Sequence, residues 1–234
     1  AHRGDSSVYR ENTLEAIKSA IDRGAQVVEI DVHLSSDGEV VVIHDPTLER
    51  LWGCTKQVKN LTWLEISKIR TDGYRIPSLR EVLELFIGKS SILMIDMEIT
   101  EPAVPSVKVV LESALPLSQV TWCGNIEAMK LVRGASYDAR IWMPWDSLDL
   151  PSKINIEGLR PEFLNFNYSS VTKETVKHVH ELGCKVSVWT IQDQPIMRWA
   201  AAIGVDSITS DYLESLQSTL SEKPSLYEGQ PMAL

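Results

Sequence analysis

The sequence predicts a single (β/α)8 barrel, and three observations support this fold class. Seven short apolar runs rich in β-branched residues alternate with amphipathic segments, which is typical of a parallel sheet covered by helices. The chain has 234 residues, a length that suits one barrel better than two ordinary domains. Its composition is 44% apolar and 24% charged, as in a folded protein with a sizeable core.

The predicted strands and helices alternate along most of the chain. The strand candidates are the apolar runs 26–32, 92–97, 119–123, 139–143, 163–166, 185–189 and 205–209. The helix candidates are the segments 13–23, 103–114, 125–134, 172–182 and 194–203. A further strand ending at His2 would complete eight βα units. Because the chain begins at Ala1 without a methionine, we expect an upstream segment to be absent from the sequence.

Local signals mark the start of the first helix and a hairpin after the first strand candidate. Asn12 is the predicted N-cap, and Glu15 three residues later completes a capping pattern. The dipeptide Asp37-Gly38 is typical of a tight turn between two strands. The apolar run 40–43 is therefore predicted to pair with the strand before it as a small hairpin.

The segment 45–91 is longer than a usual connection between a strand and a helix. It contains two helical patterns, 62–70 and 78–87, and we interpret it as a small insertion after the second strand that lies over the mouth of the barrel. We assign residues 1–220 to a single barrel domain. Residues 221–234 are rich in Pro, Gly, Ser and Glu, and are predicted to form a loosely packed tail.

The charge balance excludes some classes of partner. The net charge is −9, from 23 basic and 32 acidic residues, whereas nucleic-acid binding requires a basic face. We therefore expect no nucleic-acid partner. A small phosphorylated substrate stays compatible, since one arginine and a metal ion can supply local positive charge. No apolar run approaches the length of a membrane span, so no transmembrane segment is expected.

The number and spacing of the cysteines give information on the cellular compartment of the protein. Cys54, Cys123 and Cys184 lie far apart and match no metal-ligand spacing, which is typical of reduced thiols rather than of a disulfide framework. This pattern favours the cytoplasm. A periplasmic or secreted location stays open, because a signal peptide upstream of Ala1 cannot be assessed. The sequence makes no prediction of the oligomeric state.

The first candidate site is a pair of carboxylates at the end of an apolar run. Glu29 and Asp31 are two residues apart on a predicted strand, so their side chains point to the same face. In a barrel, the carboxyl ends of the strands build the active site. Oxygen ligands of this kind suit Mg²⁺ or Ca²⁺. The structural alternative is that one carboxylate caps the next loop and the other pairs with a lysine.

A second pair of carboxylates follows the next strand candidate. Asp96 and Glu98 also share one face, and apolar residues flank Asp96 on both sides. An acidic group in such surroundings needs a compensating partner. One such partner is a metal ion shared with Glu29 and Asp31, and the alternative is a buried pair with an arginine.

Two histidines, an arginine and a tryptophan complete the set of candidate functional residues. His2 and His44 each end a strand-like run beside a charged residue, and an imidazole can give or take a proton near neutral pH. Arg3 can hold a phosphate through two parallel hydrogen bonds. Trp189 would stand at the barrel mouth and cover an apolar part of a substrate, unless it packs in the core. His33 is interpreted as a loop residue.

These segments together resemble the glycerophosphodiester phosphodiesterase family over almost the whole chain. The resemblance is carried by AHRG at 1–4, ENT at 11–13, VVEIDVHLSSDGEVVVIHDPTLER at 27–50, IPSLREVL at 76–83, VWTI at 188–191 and GVDSITSDY at 204–212. The family implies a (β/α)8 barrel with a small insertion after the second strand. It also implies a divalent cation, usually Mg²⁺ or Ca²⁺.

The resemblance assigns roles to the candidate residues. Glu29, Asp31 and Asp96 match the family's metal ligands, although the family usually has a glutamate at the third position. His2 and His44 match its general acid and base. Arg3 matches its phosphate-binding arginine.

One position departs from the family. Glu98 stands where the family typically has a lysine that helps to hold the phosphate. The extra acid would either strengthen the cation site, with Glu98 itself as a metal ligand, or recruit a second cation that restores positive charge. Otherwise it would weaken phosphate binding and change the substrate. A shifted register, with Glu98 as the ligand and Asp96 as its partner, is a further alternative.

Three functions follow from these residues. The favoured one is metal-dependent hydrolysis of a small-molecule glycerophosphodiester to an alcohol and glycerol 3-phosphate, with the two histidines as acid and base. A lysophospholipase D-like activity on lipids is the second, and Leu51, Trp52 and Trp63 would supply its apolar mouth unless they form the core of the insertion. The third is a barrel without turnover that binds a ligand, supported only by Glu98.

Overall fold

The computed structural model describes residues 1–147 and 149–221. Its eight strands form one sheet in the order β2-β1-β3-β4-β5-β6-β7-β8, where β1 and β3 to β8 are parallel and β2 is antiparallel to β1. The strands are β1 (Val27–Leu34), β2 (Val40–Val42), β3 (Ile92–Met97), β4 (Val120–Gly124), β5 (Arg140–Pro144), β6 (Phe163–Asn167), β7 (Lys185–Trp189) and β8 (Ser207–Ile208). The sequence-predicted (β/α)8 fold class is confirmed.

The helices cover the outside of this sheet. They are α1 (Leu14–Asp22), α2 (Glu49–Trp52), α3 (Trp63–Ile66), α4 (Leu79–Phe86), α5 (Ala103–Glu112), α6 (Ile126–Ala135), α7 (Lys153–Glu157), α8 (Lys173–Glu181), α9 (Gln194–Ala202) and α10 (Leu213–Ser221). None of the helices in the described part of the chain has both the length and the apolar character needed to cross a membrane.

The first residues of the chain occupy the gap between β1 and β8. The Ala1 amino group donates to Val27 O at 2.8 Å, and the Glu29 N–H donates to Ala1 O at 2.9 Å. The His2 N–H donates to Ser210 O, just after β8, at 3.1 Å. Residues 1 and 2 thus connect the two sides of the gap and take the position predicted for a strand ending at His2.

The hairpin predicted after the first strand is present, but the start of the first helix differs from the prediction. Val32 pairs with Val42 in the β1–β2 ladder. The N-cap of α1 is Thr13, whose hydroxyl accepts from the Ala16 N–H. Asn12 does not cap the helix. It has a left-handed φ of 57°, and its side chain instead binds Asp31, as described below.

The segment between β2 and β3 has a small core of its own. Its cluster of buried residues includes Leu48, Trp52, Val58, Leu61, Ile66 and Ile76. Leu51 and Trp63 pack against the same cluster. Leu51, Trp52 and Trp63 are therefore part of the core of this segment. This agrees with the alternative to an apolar mouth that the sequence left open. Of the predicted tail, residues 222–234 lie outside the described residues.

Candidate active site

A cavity of about 420 Å³ opens at the carboxyl ends of the strands. It is lined by His2, Arg3, Asp31, His44, Asp96, Glu98, Gly124, Asn125, Pro144, Asp146, Asn165, Trp189 and Thr190. This is the end of the barrel at which the loops after the strands meet. Seven of the eight sequence-predicted site residues therefore border one cavity, and the eighth, Glu29, is buried beside it.

Three carboxylates from neighbouring strands form a compact cluster. Asp31 on β1 pairs in register with Asp96 on β3, and Glu29 lies two residues before Asp31 on the same face. One ligand atom from each of these three side chains lies within 4.8 Å of the other two. The Oε1 atom of Glu29 is buried and has no hydrogen-bond partner among the described residues. An orphaned buried oxygen of this kind indicates a ligand that completes the cluster.

The electrostatics of the cluster favour a cation. Burial, followed by the charges of Asp31 and Asp96, raises the pKa of Glu29 well above its ordinary value. Burial and the charge of Asp31 raise the pKa of Asp96 to about 6. Three carboxylates held this close repel one another unless they share protons or a positive ion. The donor set is made of oxygen only, so it fits Mg²⁺ or Ca²⁺ better than a softer metal.

Gly124 at the end of β4 leaves room for the third carboxylate. Its φ is +103°, and a Cβ at this position would clash with Asp96 Oδ1 and with the backbone of Met97. A residue with a side chain would therefore push Asp96 out of place.

Asn12 and Arg3 hold the inner side of the cluster. The Asn12 amide donates to Asp31 Oδ2 at 2.7 Å, and its carbonyl accepts from the Asp31 N–H at 3.1 Å. The Arg3 N–H donates to Glu29 Oε2 at 2.8 Å. The Arg3 guanidinium lies 3.2 Å from Asp31 Oδ2 through Nε and donates to Glu11 Oε1 at 2.9 Å through Nη1. The cluster is thus braced by both backbone and side-chain donors.

The ring of His2 is anchored by a carboxylate from the other end of the chain. His2 Nδ1 lies 2.5 Å from Asp211 Oδ1, and Ser6 and Gln192 also donate to Asp211. Burial opposes ionisation of Asp211, but the hydrogen bond and charge of His2 outweigh it and lower the pKa of the carboxyl. His2 Nε2 lies 4.0 Å from Glu29 Oε2. The second ring nitrogen therefore faces the carboxylate cluster.

The ring of His44 is also held by a carboxylate, at the same ring nitrogen as in His2. His44 Nδ1 lies 2.7 Å from Asp45 Oδ1, and Arg50 donates to Asp45 Oδ2 at 2.6 Å. Hydrogen bonds from Arg50 lower the pKa of Asp45 to about 2. Arg50 also donates to Glu11 Oε1 at 2.6 Å. Because Glu11 accepts from Arg3 as well, one hydrogen-bonded chain joins the supports of His44 to the carboxylate cluster.

Glu98 does not join the compact cluster of three carboxylates. Its Oε1 atom lies 3.3 Å from His44 Nε2, and its side chain is 62% exposed. The geometry thus places Glu98 with the histidine, and its assignment as a metal ligand stays a prediction. Trp189 is 40% exposed and lines the cavity, as expected for a residue at the barrel mouth.

The interpretation of His33 as a loop residue was wrong. His33 lies within β1 and is buried, because the hairpin with β2 extends this strand beyond the predicted end at residue 32. Its Nε2 atom lies 2.8 Å from His44 O. His33 therefore supports the backbone of the second site histidine.

Sequence reasoning missed the residues that hold the site histidines. Asp45, Arg50 and Asp211 were not singled out, although Asp45 and Arg50 lie in the stretch 27–50 and Asp211 in 204–212, both of which carried the resemblance. The available signal was an acidic residue next to or shortly after a strand end. It did not indicate which histidine each carboxylate would meet.

Comparison with known proteins shows the family to which the chain is similar. Residues 2–215 match the model of the glycerophosphoryl diester phosphodiesterase family. A glycerophosphodiester phosphodiesterase of Caldanaerobacter subterraneus subsp. tengcongensis is 30% identical, and the match covers 92% of this chain and 94% of that protein. The solved glycerophosphodiester phosphodiesterase of Thermotoga maritima has a TM-score of 0.79 at 29% identity, covering 93% of this chain and 96% of its own.

A further solved structure shares the fold. A phosphodiesterase of Oleispira antarctica, in complex with the product sn-glycerol-3-phosphate, has a TM-score of 0.86 at 24% identity. The match covers 95% of this chain and 96% of that one.

Proposed function

The chain belongs to the glycerophosphoryl diester phosphodiesterase family and is a phosphoric diester hydrolase, and on that premise we propose that it hydrolyses glycerophosphodiesters to an alcohol and glycerol 3-phosphate. One observation carries the proposal. Two imidazoles, each fixed at Nδ1 by a carboxylate, line the same cavity as two of the three clustered carboxylates. Acid–base groups beside a cation site are what hydrolysis of a phosphodiester requires.

Glu29, Asp31 and Asp96 would hold a divalent cation, Mg²⁺ or Ca²⁺. The buried, unpartnered oxygen of Glu29 and the raised pKa values of Glu29 and Asp96 support this assignment. A bound cation would neutralise charge that develops on the phosphate oxygens. Asn12 and Arg3 keep the carboxylates in place before the ion binds.

His2 and His44 would serve as the acid–base pair. One ring would remove a proton from the nucleophile, either the glycerol 2-hydroxyl or water, and the other would protonate the departing alcohol oxygen. If the 2-hydroxyl attacks, the product is a cyclic phosphodiester, which water then opens to glycerol 3-phosphate with the same two rings as acid and base. In both rings Nδ1 is occupied by a carboxylate, so Nε2 is the nitrogen available for proton transfer.

Arg3 would bind the phosphate. It lines the cavity, and its charge is fixed at any physiological pH. Its Nη1 and Nε atoms face Glu11 and Asp31, which orients the guanidinium, while Nη2 makes no hydrogen bond with the described residues. A phosphate oxygen can take that remaining donor.

The test measures hydrolysis of glycerophosphocholine, glycerophosphoethanolamine and glycerophosphoglycerol. Lysophosphatidylcholine is included to test for activity on a lipid substrate. The protein is stripped with a chelator and then supplied with Mg²⁺, Ca²⁺ or Mn²⁺. We expect glycerol 3-phosphate to be released only after a cation is restored. Turnover that is equally fast with the chelator would contradict the cation assignment, and the absence of product with every diester and cation would contradict the proposed activity.

A further inference from the structure

Two acidic side chains in the cavity are not used by the compact carboxylate cluster. Glu98 follows β3 and is 62% exposed, and its one close polar neighbour among the described residues is His44 Nε2 at 3.3 Å. Asp146 follows β5, is exposed, and makes no hydrogen bond or ion pair with the described residues. The cavity therefore presents negative charge beyond what one cation site takes up.

This charge is not balanced by a basic side chain of the cavity wall. Arg3 is the only lysine or arginine among the described residues that line the cavity. Its guanidinium already faces Glu11 at 2.9 Å and Asp31 at 3.2 Å. Among the described residues, Glu98 faces only His44 and Asp146 has no ionic partner, so neither is paired with a lysine or arginine and both can attract a positive charge on a ligand.

The two acids lie where the alcohol part of a substrate can reach them. His44 Nε2 is a nitrogen positioned for proton transfer to or from a reacting oxygen, and Glu98 lies directly beside it. Asp146 also lines a second cavity of about 790 Å³, which shares Gly124, Asn125 and Pro144 with the first. Glu98 and Asp146 both line the first cavity, so the alcohol part of a substrate bound there would share that cavity with both carboxylates.

An aromatic surface is available in the same cavity. Trp189 is 40% exposed and lines it together with Glu98 and Asp146. Indole faces attract ammonium groups, and quaternary ammonium ions in particular, by their negative electrostatic potential. The carboxylates and the indole are therefore suited to the same kind of ligand group.

We propose that Glu98, assisted by Asp146, makes the enzyme prefer diesters whose alcohol carries a positive charge over diesters of neutral or anionic alcohols. Glu98 is then a residue that determines specificity. This inference rests on the proposed function, because it concerns the alcohol released by that reaction.

The experiment compares kcat/KM for glycerophosphocholine with kcat/KM for glycerophosphoglycerol, as a ratio for each protein. In Glu98→Gln we expect the ratio to fall by roughly 1.5-fold to fivefold, the range of an exposed ion pair. Asp146→Asn should lower it by a smaller factor. The matched control is Glu101→Gln, an exposed acid in the same loop that does not line the cavity, for which the ratio should equal that of the wild type.

Calorimetric binding of choline to the cation-loaded protein gives a readout that does not need turnover. We expect choline to bind the wild type and to bind Glu98→Gln more weakly by a similar factor. An unchanged ratio together with unchanged choline binding would overturn the inference while leaving the proposed function intact. A changed cation requirement in Glu98→Gln with an unchanged ratio would also overturn it, because Glu98 would then serve the metal. Failure of the wild type to hydrolyse any diester would instead refute the proposed function.

Discussion

The Nδ1 atom of His2 and the Oδ1 atom of Asp211 lie 2.5 Å apart, although 209 residues separate the two side chains in the sequence. The contact spans the gap between β1 and β8, which residues 1 and 2 fill. It fixes the orientation of the ring, so that Nε2 faces Glu29 at 4.0 Å. Under the proposed function, Asp211 would be a positioning residue, because it would act through His2 rather than on the substrate.

Asp211→Asn should lower kcat while changing KM little. The amide keeps the shape of the side chain but replaces one carboxylate oxygen with an NH₂ donor, which weakens the contact that orients the His2 ring. A misplaced acid–base group costs about tenfold to a hundredfold in rate. Steady-state kinetics on a cation-loaded enzyme would measure this, and a wild-type kcat in the variant would show that the His2–Asp211 contact has no catalytic role.

Asp206→Asn is a matched control for that variant. Asp206 Oδ2 lies 2.8 Å from His180 Nε2, which makes a second histidine–aspartate pair that does not line the catalytic cavity. We expect this substitution to leave kcat unchanged. A loss of rate as large as that of Asp211→Asn would indicate that the effect comes from general disturbance of the fold.

His2→Ala and His44→Ala should each abolish turnover and leave the protein folded. General acid–base catalysis contributes roughly a hundredfold to ten-thousandfold to the rate. Circular dichroism and the melting temperature would establish the fold, and product release would establish the rate. His180→Ala, which removes a largely exposed ring outside the cavity, should remain active. Full activity in either site variant would refute the acid–base assignment.

Cation binding should raise the melting temperature more at pH 7 than at pH 5. The pKa of Asp96 is raised to about 6 and that of Glu29 well above its ordinary value, so at pH 5 protons compete with the ion. At a Mg²⁺ concentration 100 times Kd the shift at pH 7 should be roughly 5–10 °C for a domain of this size. Thermal unfolding with and without Mg²⁺ at both pH values measures it, and an equal shift at both would contradict the assignment.

Asp96→Asn should change how the stability of the metal-free protein depends on pH, because it removes one of the three carboxylates that repel one another. A carboxyl whose pKa is raised in the folded state stabilises the fold below its unfolded pKa, and this contribution is lost as pH rises through the folded value of about 6. The metal-free variant should therefore gain stability relative to the metal-free wild type between pH 5 and pH 7. It should also lose most of the response to Mg²⁺. A difference that shrinks over this pH range would contradict the prediction.

Gly124→Ala should weaken both the cation site and the fold. The added Cβ would clash with Asp96 Oδ1, and the φ of +103° is unfavourable for any residue with a side chain. We expect a destabilisation of about 1–3 kcal/mol and a clear rise in the cation concentration needed for half-maximal activity. Gly134→Ala, in α6 with open space at the Cβ position, is the control and should be neutral or stabilising by up to about 1 kcal/mol.

The parts of the structure that follow from local sequence signals were predictable. Apolar β-branched runs predicted seven parallel strands, and Asp37-Gly38 predicted the hairpin. Both predictions succeeded because hydrophobic patterning and turn preferences depend on only a few neighbouring residues. The clustering of Glu29, Asp31 and Asp96 followed from their position at the ends of strands that are neighbours in a parallel sheet. These features need no knowledge of distant contacts.

The errors arose where a distant contact overrides a local preference. Asn12 and Thr13 are both good N-cap residues, and the choice falls to Thr13 because Asn12 is engaged by Asp31, 19 residues away. The pairing of His2 with Asp211 depends on how the two ends of the barrel meet. The helix α10 was missed because its sequence, LESLQSTLS, contains several weak helix formers.

Ala1 and His2 join two strands of the barrel, and under the proposed function His2 also takes part in the chemistry. Ala1 and His2 bridge β1 and β8 through a few backbone hydrogen bonds, while the ring of His2 reaches Asp211 and faces Glu29. Local opening of this joint would separate the ring from both carboxylates while the helices stay formed, since local opening costs less than global unfolding. Activity is therefore expected to be lost at a lower denaturant concentration than the helical circular dichroism signal.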